Sequence, residues 1–327
     1  MRALRLLAAT AALFGIAVPG TAQRVPPVRV ALVAMPYSGA RNVPELSGGP
    51  GYLLDGGLEA RLRTQGVALA PTRTVALSAG DEGDYGEWHR MGLANGHLAE
   101  MVSADARQGV LTVGLLANCT SVLGMLGGLQ HQDPSAAPAR VALVFIDAHG
   151  DFNVPETTLS GMLGGMPVAV SAGLALERLR RESGLDPALP TERIVMGAVR
   201  DLDPLERELV EASHIQHLST EDLRRPEAVR AQMERLSRVA DVIYVHVDMD
   251  VLDPAEVPGH PLTVAGGPTS AELAGALQEM FRFEKVAALG IASTPFGERD
   301  PDGVSRRAAY NLIDGAVRGL RARMPGS

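Results

Sequence analysis

The sequence predicts an α/β fold of three layers, with helices on both faces of a mostly parallel sheet. Three observations carry that prediction. Six short apolar runs recur along the chain, at Val28 to Ala34, Val110 to Leu116, Arg140 to Ile146, Arg193 to Val199, Val242 to Val247 and Val286 to Ile291. Each is rich in Val, Ile, Leu or Ala with little alternation, the pattern of strands covered on both faces. Helical stretches lie between them, and the strand–helix alternation favours parallel pairing with right-handed crossovers. The chain has 327 residues, 46% of them hydrophobic, which is ample for a sizeable core.

The N-terminus reads as a leader and not as fold. Arg2 and Arg5 precede an apolar stretch from Leu6 to Val18, which Pro19 ends, and Gly20-Thr21-Ala22 supplies small residues for cleavage after Ala22. This is the pattern of a secretory signal peptide over residues 1–22, with an uncleaved anchor as the competing reading. Residues 23–327 then form one α/β domain, secreted or periplasmic. No later segment is long and apolar enough to span a membrane. Cys119 is the sole cysteine, so no internal disulfide forms. The net charge of −8 without a basic run argues against nucleic-acid binding. Lys285 is the only lysine, a compositional habit without chemical meaning.

Further elements follow in order. Ser78 to Asp84 is a Gly/Asp-rich loop, and Gln132 to Ala139 a short linker-like one. Helices are expected over Asp203 to Ser213, Glu221 to Ala240 and Thr269 to Phe283, the last capped by Ser270. A final amphipathic helix spans roughly Ser305 to Arg323 and is expected to face the core.

The chemistry sits at two strand ends. In "FIDAHGDFN", Asp147, His149 and Asp151 fall at i, i+2 and i+4 after an apolar run. Alternate side chains on an extended exit share one side, and ligands of parallel sheets bind outside the carboxyl ends of strands. In "YVHVDMDVLDP", Asp248 and Asp250 repeat the pattern. Four bare carboxylates side by side are costly to desolvate. One divalent cation, or a pair, relieves the repulsion, and mixed oxygen and imidazole donors suit Mn²⁺, Zn²⁺ or Fe²⁺ better than Ca²⁺.

"DAHGDFN" and "DMDVLDP", in this order and about a hundred residues apart, resemble the metal motifs of the arginase–agmatinase (ureohydrolase) family. "GGPGYLLDGGL" (Gly48 to Leu58), "SGMLGGMP" (Ser160 to Pro167) and "PGHPLTVAGG" (Pro258 to Gly267) extend the likeness over most of the mature chain. The resemblance implies an arginase-like fold holding two Mn²⁺ ions bridged by hydroxide. It implies that Asp147 and Asp248 bridge the ions, that Asp151 binds the first, and that His149 and Asp250 bind the second. It also implies that Asp151 orients the hydroxide, and that Asn153 and Ser160 hold the distal end of a small-molecule substrate. Trimers or hexamers are common among such relatives.

The departures are as informative. Cys119, in "LLANCTSVLG", stands where the family carries its first metal histidine. As a thiolate it would shift preference towards Zn²⁺ or Fe²⁺, and the competing reading is a buried thiol. Some relatives acting on hydroxyarginine carry cysteine there. The family's proton-shuttling histidine is replaced by Gly164, and its guanidinium-binding glutamate by Ala292. Losing that carboxylate removes a charge-assisted anchor and points to a less basic substrate, such as an N-hydroxyguanidine, an amidine or an amide. His260 could supply the lost acid, against a solvent-facing loop histidine. His246 is a candidate partner behind the ligands or a core histidine. His89, beside Trp88, is a candidate for the substrate entrance. His97, His131, His214 and His217 carry no assigned role. The sequence thus favours a metal-dependent C–N hydrolase, over a non-catalytic binding protein on the same scaffold or a deacetylase-like amidohydrolase.

Overall fold

The computed structural model describes residues 28–38, 47–83, 86–133 and 135–323. The leader at residues 1–22 and its cleavage point lie outside the described residues, as do Asp84 and Pro134 of the two expected loops. Within the first of these loops, Ala79–Glu82 forms a short helix capped by Ser78.

The strands are β1 (Arg29–Met35), β2 (Ala68–Leu69), β3 (Arg73–Thr74), β4 (Leu111–Leu116), β5 (Val141–Ile146), β6 (Ile194–Gly197), β7 (Gln216–Leu218), β8 (Val242–Asp248) and β9 (Val286–Ala292). They form one sheet in the order β2-β1-β4-β9-β8-β5-β6-β7, with β3 also paired to β1. Every pairing is parallel. The chain therefore skips two places between β4 and β5 and returns at its end to fill them with β8 and β9.

The longer helices are α1 (Gly49–Asp55), α2 (Leu58–Thr64), α3 (Glu87–Arg107), α4 (Val122–Gln130), α5 (Pro204–Glu211), α6 (Pro226–Val239), α7 (Ser270–Met280) and α8 (Val304–Arg321). Because side chains alternate along a strand, each central strand feeds two cores. Ala142, Val144 and Ile146 of β5 join a core with α1, α2, α6, α7 and α8. Val141, Leu143 and Phe145 join the opposite core with α3 and α4. That is the three-layer arrangement, and α8 gives its apolar stripe to the first core. Among the described residues no helix is long and apolar enough to cross a membrane.

Two helix expectations need correction. The stretch Glu221 to Ala240 is two helices, Thr220–Leu223 and α6, because Pro226 cannot continue the first and instead opens the second. The cap of α7 is Thr269, not Ser270. Thr269 Oγ1 accepts from Glu272 N (3.2 Å), while Glu272 Oε2 accepts from Thr269 N (2.8 Å), a reciprocal capping box. Ser270 instead faces inward, its Oγ 3.0 Å from Asn311 Nδ2.

Candidate metal centre

The four central strands β4, β9, β8 and β5 end side by side, and their exits build the site. Ile146 pairs with Val247 in register, so Asp147 and Asp248 leave neighbouring strands at the same level. Cys119 follows β4 in a short turn that Asn118 caps by accepting from Thr120 N (2.8 Å). Ser293 follows β9. These side chains line a cavity of about 290 Å³ together with Asp151, His149, Asp250, Asn153, Ser160, Gly164 and His260.

Each donor is held by local backbone. Asp147 Oδ1 accepts from His149 N (2.8 Å), and Asp248 Oδ1 accepts from Asp250 N (3.0 Å), so both motifs use the first aspartate to fold the exit. Asp250 Oδ1 accepts from Ala148 N (3.3 Å), which ties the two exits together. Asp151 and Ser293 take left-handed backbone conformations, at φ 48° and 59°, unusual for residues with a Cβ. Such strain clusters where geometry is dictated by function. Asp151 is fixed through its carbonyl, which accepts from Val168 N (3.0 Å).

The electrostatics are those of a crowded anionic cluster that His149 compensates in part. Burial, then the charge of Asp250, pushes Asp248 up to about 7. Burial, then Asp147, pushes Asp250 up to about 6. Burial raises Asp151 well above the usual carboxylate range, helped by Asp147 and Asp248. Burial pulls His149 down, but its bonds to Asp147 and Asp250 outweigh that and raise it to about 11. The Cys119 thiol is also pushed well up, first by burial and then by Asp248. Its Sγ lies 2.8 Å from Asp248 Oδ2 and 3.7 Å from Asp147 Oδ2.

This donor set fits divalent cations. Cys119, Asp147 and Asp151 form one group, Asp147, His149 and Asp250 a second, and Asp248, Asp250 and His260 a third. In each, candidate ligand atoms lie within 4.8 Å of one another. Asp147 and Asp250 each appear in two of these groups, so the three lie edge to edge. All six sequence-predicted metal residues thus converge.

The other predicted residues fare differently. His260 is in the pocket wall, its side chain only 3% exposed and its Nε2 3.8 Å from Asp248 Oδ1. It is not a solvent-facing loop histidine. Asn153 lines the cavity, but its amide is committed: Nδ2 donates to Asp203 Oδ2 (3.1 Å) and Oδ1 accepts from Thr157 Oγ1 (2.8 Å). Ser160 stands exposed at the rim. Gly164 borders the cavity beside Asn118, whose Nδ2 would lie 3.0 Å from a Cβ there. Ala292 is fully buried at the end of β9, level with Asp248. His246 is fully buried beside Cys119, Nε2 to Sγ being 3.3 Å. His89 bonds Glu182 (2.8 Å) on the flank of α3 and does not line the cavity.

Sequence reasoning overlooked several contributors. Ser293 Oγ donates to Asp248 Oδ2 (2.6 Å). Asp201 and Asp203 line the cavity after β6. Their spacing in "RDLDP" is the same alternating-carboxylate signal that marked the other two exits, and it was there to be read. Glu206 accepts from Phe152 N (2.8 Å) and Asp203 N (3.1 Å), bracing the segment between Asp151 and Asn153. Arg200 donates to the carbonyls of Ala198 (2.9 Å), Val264 (2.8 Å) and Val251 (3.2 Å), clamping the loop that carries His260.

Comparison with known proteins agrees with this geometry. The chain is 28% identical over 259 residues to an arginase of Neurospora crassa, covering 75% of this chain and 72% of that protein. It is 27% identical over 275 residues to the human mitochondrial arginase-2, covering 80% and 76% respectively. The crystal structure of Bacillus subtilis arginase superposes with a TM-score of 0.77 at 22% identity, over 88% of this chain and 98% of that one. Formimidoylglutamase from Bacillus subtilis superposes with a TM-score of 0.67 at 16% identity, over 90% and 88%. The model of the arginase family matches residues 28–313. With that match and a carboxylate-rich centre at the strand ends, the chain belongs to the arginase family and is a metal-dependent hydrolase of guanidino or amidino C–N bonds.

Proposed function

We propose that this enzyme hydrolyses a guanidine less basic than a simple alkylguanidinium, an N-hydroxyguanidine being the leading case, and releases a urea and an amine. The observation that carries the reading is the convergence of Cys119, His149 and four buried aspartates on one cavity. The chemistry such cations supply is Lewis acidity and a water ionised near neutral pH. Cys119, Asp147, Asp151 and Asp248 would hold the first, and Asp147, His149, Asp248 and Asp250 the second. A soft sulfur donor favours Zn²⁺ or Fe²⁺ at the first position, with Mn²⁺ the choice of an all-oxygen-and-imidazole site.

The protein's own groups do the rest. Asp151 stands on the cavity wall, where its carboxylate orients the nucleophile by accepting its hydrogen. Ala292, level with Asp248, puts no carboxylate at that position, which removes one anchor for a full guanidinium charge. That supports a less basic substrate. The departing amine needs a proton, and His260 is placed to give one. Leu262 N donates to His260 Nδ1 (3.2 Å), so the resting neutral ring carries its hydrogen on Nε2, and it serves as the acid once a second proton has made it imidazolium. Nε2 is buried with no hydrogen-bond partner among the described residues, and it faces the cavity.

The testing experiment pairs metal analysis with turnover. Two equivalents of metal per chain and amine release from a panel of guanidines is expected, with N-hydroxyguanidines, which give the amine and N-hydroxyurea, turned over faster than alkylguanidines, which give the amine and urea. Two equivalents without release from any guanidine would sink the substrate reading. The leader-like N-terminus supports export to the periplasm or beyond, and fractionation of the full chain with N-terminal sequencing checks it; an intact N-terminus in the cytosol would overturn it.

A further inference from the structure

Behind Cys119 lies a buried line of polar groups that the reaction does not use. His246 Nε2 is 3.3 Å from Cys119 Sγ, and His246 Nδ1 is 2.8 Å from Tyr244 Oη. Both Tyr244 and His246 project from β8 and are fully buried. The imidazole stacks on the Phe145 ring, 5.1 Å between centroids and 4° from parallel. Gly290 on β9 leaves the space: a Cβ there would lie 2.0 Å from Tyr244 Oη and 3.1 Å from His246 Nδ1. The sheet has a niche for this pair, so the contact is built and not incidental.

The direction of the hydrogen bonds follows from the donors present. Burial pushes the Tyr244 phenol well above its usual range, so it keeps its hydrogen. That hydrogen goes to His246 Nδ1, which must then accept. A neutral ring accepting at Nδ1 carries its hydrogen at Nε2, and Nε2 points at the sulfur. The opposite tautomer would aim a lone pair at the sulfur. A Cys119 thiol gives its own hydrogen to Asp248 Oδ2, the closer and stronger acceptor at 2.8 Å. A ligating Cys119 thiolate has none to give.

We infer that His246 is a positioning residue for the metal centre: oriented by Tyr244, it donates Nε2–H to the Cys119 sulfur and holds it as an anionic ligand. The inference rests on Cys119 being a ligand, as proposed above. The imidazole absent from position 119 has in effect been moved one layer back, where it tunes the sulfur that took its place. A hydrogen bond to a thiolate draws charge off the sulfur. Partners of this kind typically alter metal affinity about 10- to 100-fold.

The test uses the Co²⁺-loaded protein, whose thiolate-to-metal charge-transfer absorption reports the sulfur directly. Wild type should show this band and Cys119→Ser should lack it. Tyr244→Phe and His246→Leu should shift it to lower energy and raise the Co²⁺ dissociation constant at least ~10-fold. His246→Gln, whose amide can still donate, should recover most of both. An unshifted band and unchanged affinity in Tyr244→Phe and His246→Leu would overturn the inference. A wild-type protein that binds two Co²⁺ without the band would remove sulfur from the centre, and with it this inference, while leaving the hydrolase reading intact. Should the core variants fail to fold, ring ¹⁵N shifts of the Zn²⁺-loaded wild type decide: hydrogen on Nε2 of His246 supports the inference, and hydrogen on Nδ1 refutes it.

Discussion

Asp248 concentrates the logic of the site in one side chain. Its two oxygens accept from Asp250 N, Ser293 Oγ and Cys119 Sγ, and it belongs to both ligand sets proposed above. Asp248→Asn keeps the shape and removes the charge. The variant should bind at most one metal and lose hydrolysis to background, measured by metal analysis and amine release; two tightly bound equivalents would refute the shared role. His260 answers to a different test. His260→Gln should leave both metals in place while kcat falls by ~10²–10⁴, the usual worth of a positioned acid or base. A loss of metal instead would make His260 a ligand. At this scale the sequence was legible where chemistry repeats in a pattern, as in the aspartates of the two strand exits. It was silent where a role depends on direction. Nothing in "YVHVD" says that His246 points at Cys119, because their approach is set by the pairing of β4, β9 and β8.

The elements show which forces the sequence advertises. The six short apolar runs became six strands within a residue or two, since burial on both faces demands unbroken apolar sequence. β2, β3 and β7 were not legible, being two or three residues long and only partly buried. They lie at the margins of the sheet and owe their pairing to neighbours. The α7–α8 contact was equally hidden. A Cβ at Gly315 would lie 2.3 Å from the Ala274 carbonyl oxygen, and one at Gly319 2.4 Å from that of Gln278. Glycine costs a helix interior up to about 1 kcal/mol relative to alanine. Overpacking against backbone that cannot move costs about 1–3 kcal/mol. Gly315→Ala should therefore destabilise despite its better helix propensity, and a lowered urea midpoint at unchanged slope is the expected readout. A raised midpoint would mean that the helices separate at little cost.

For the whole molecule, the centre couples folding to pH and to metal. Asp248 and Asp250 are raised from 3.8 to about 7 and about 6, so without metal the folded state binds more protons than the unfolded chain across that window. Stability from a raised group is full below its unfolded value and is lost as pH rises through its folded value. His149, raised from 6.5 to about 11, acts in the same direction at higher pH. Asp241, lowered to about 2 by Arg140, acts oppositely but only below 3.8, whereas His246, lowered by burial from 6.5 to about 3, opposes the raised groups up to 6.5. The metal-free protein should thus lose thermal stability from about pH 6.5 to pH 8, where the raised groups act unopposed. Cations bind only the deprotonated ligands, and anything that binds the native state alone stabilises it. The gain in Tm on saturating with metal should accordingly be larger at pH 8 than at pH 5. Differential scanning calorimetry on chelator-stripped and metal-loaded protein at both values measures it. A gain independent of pH would show that these carboxylates are not the groups that hold the metal, whatever the family likeness of their motifs.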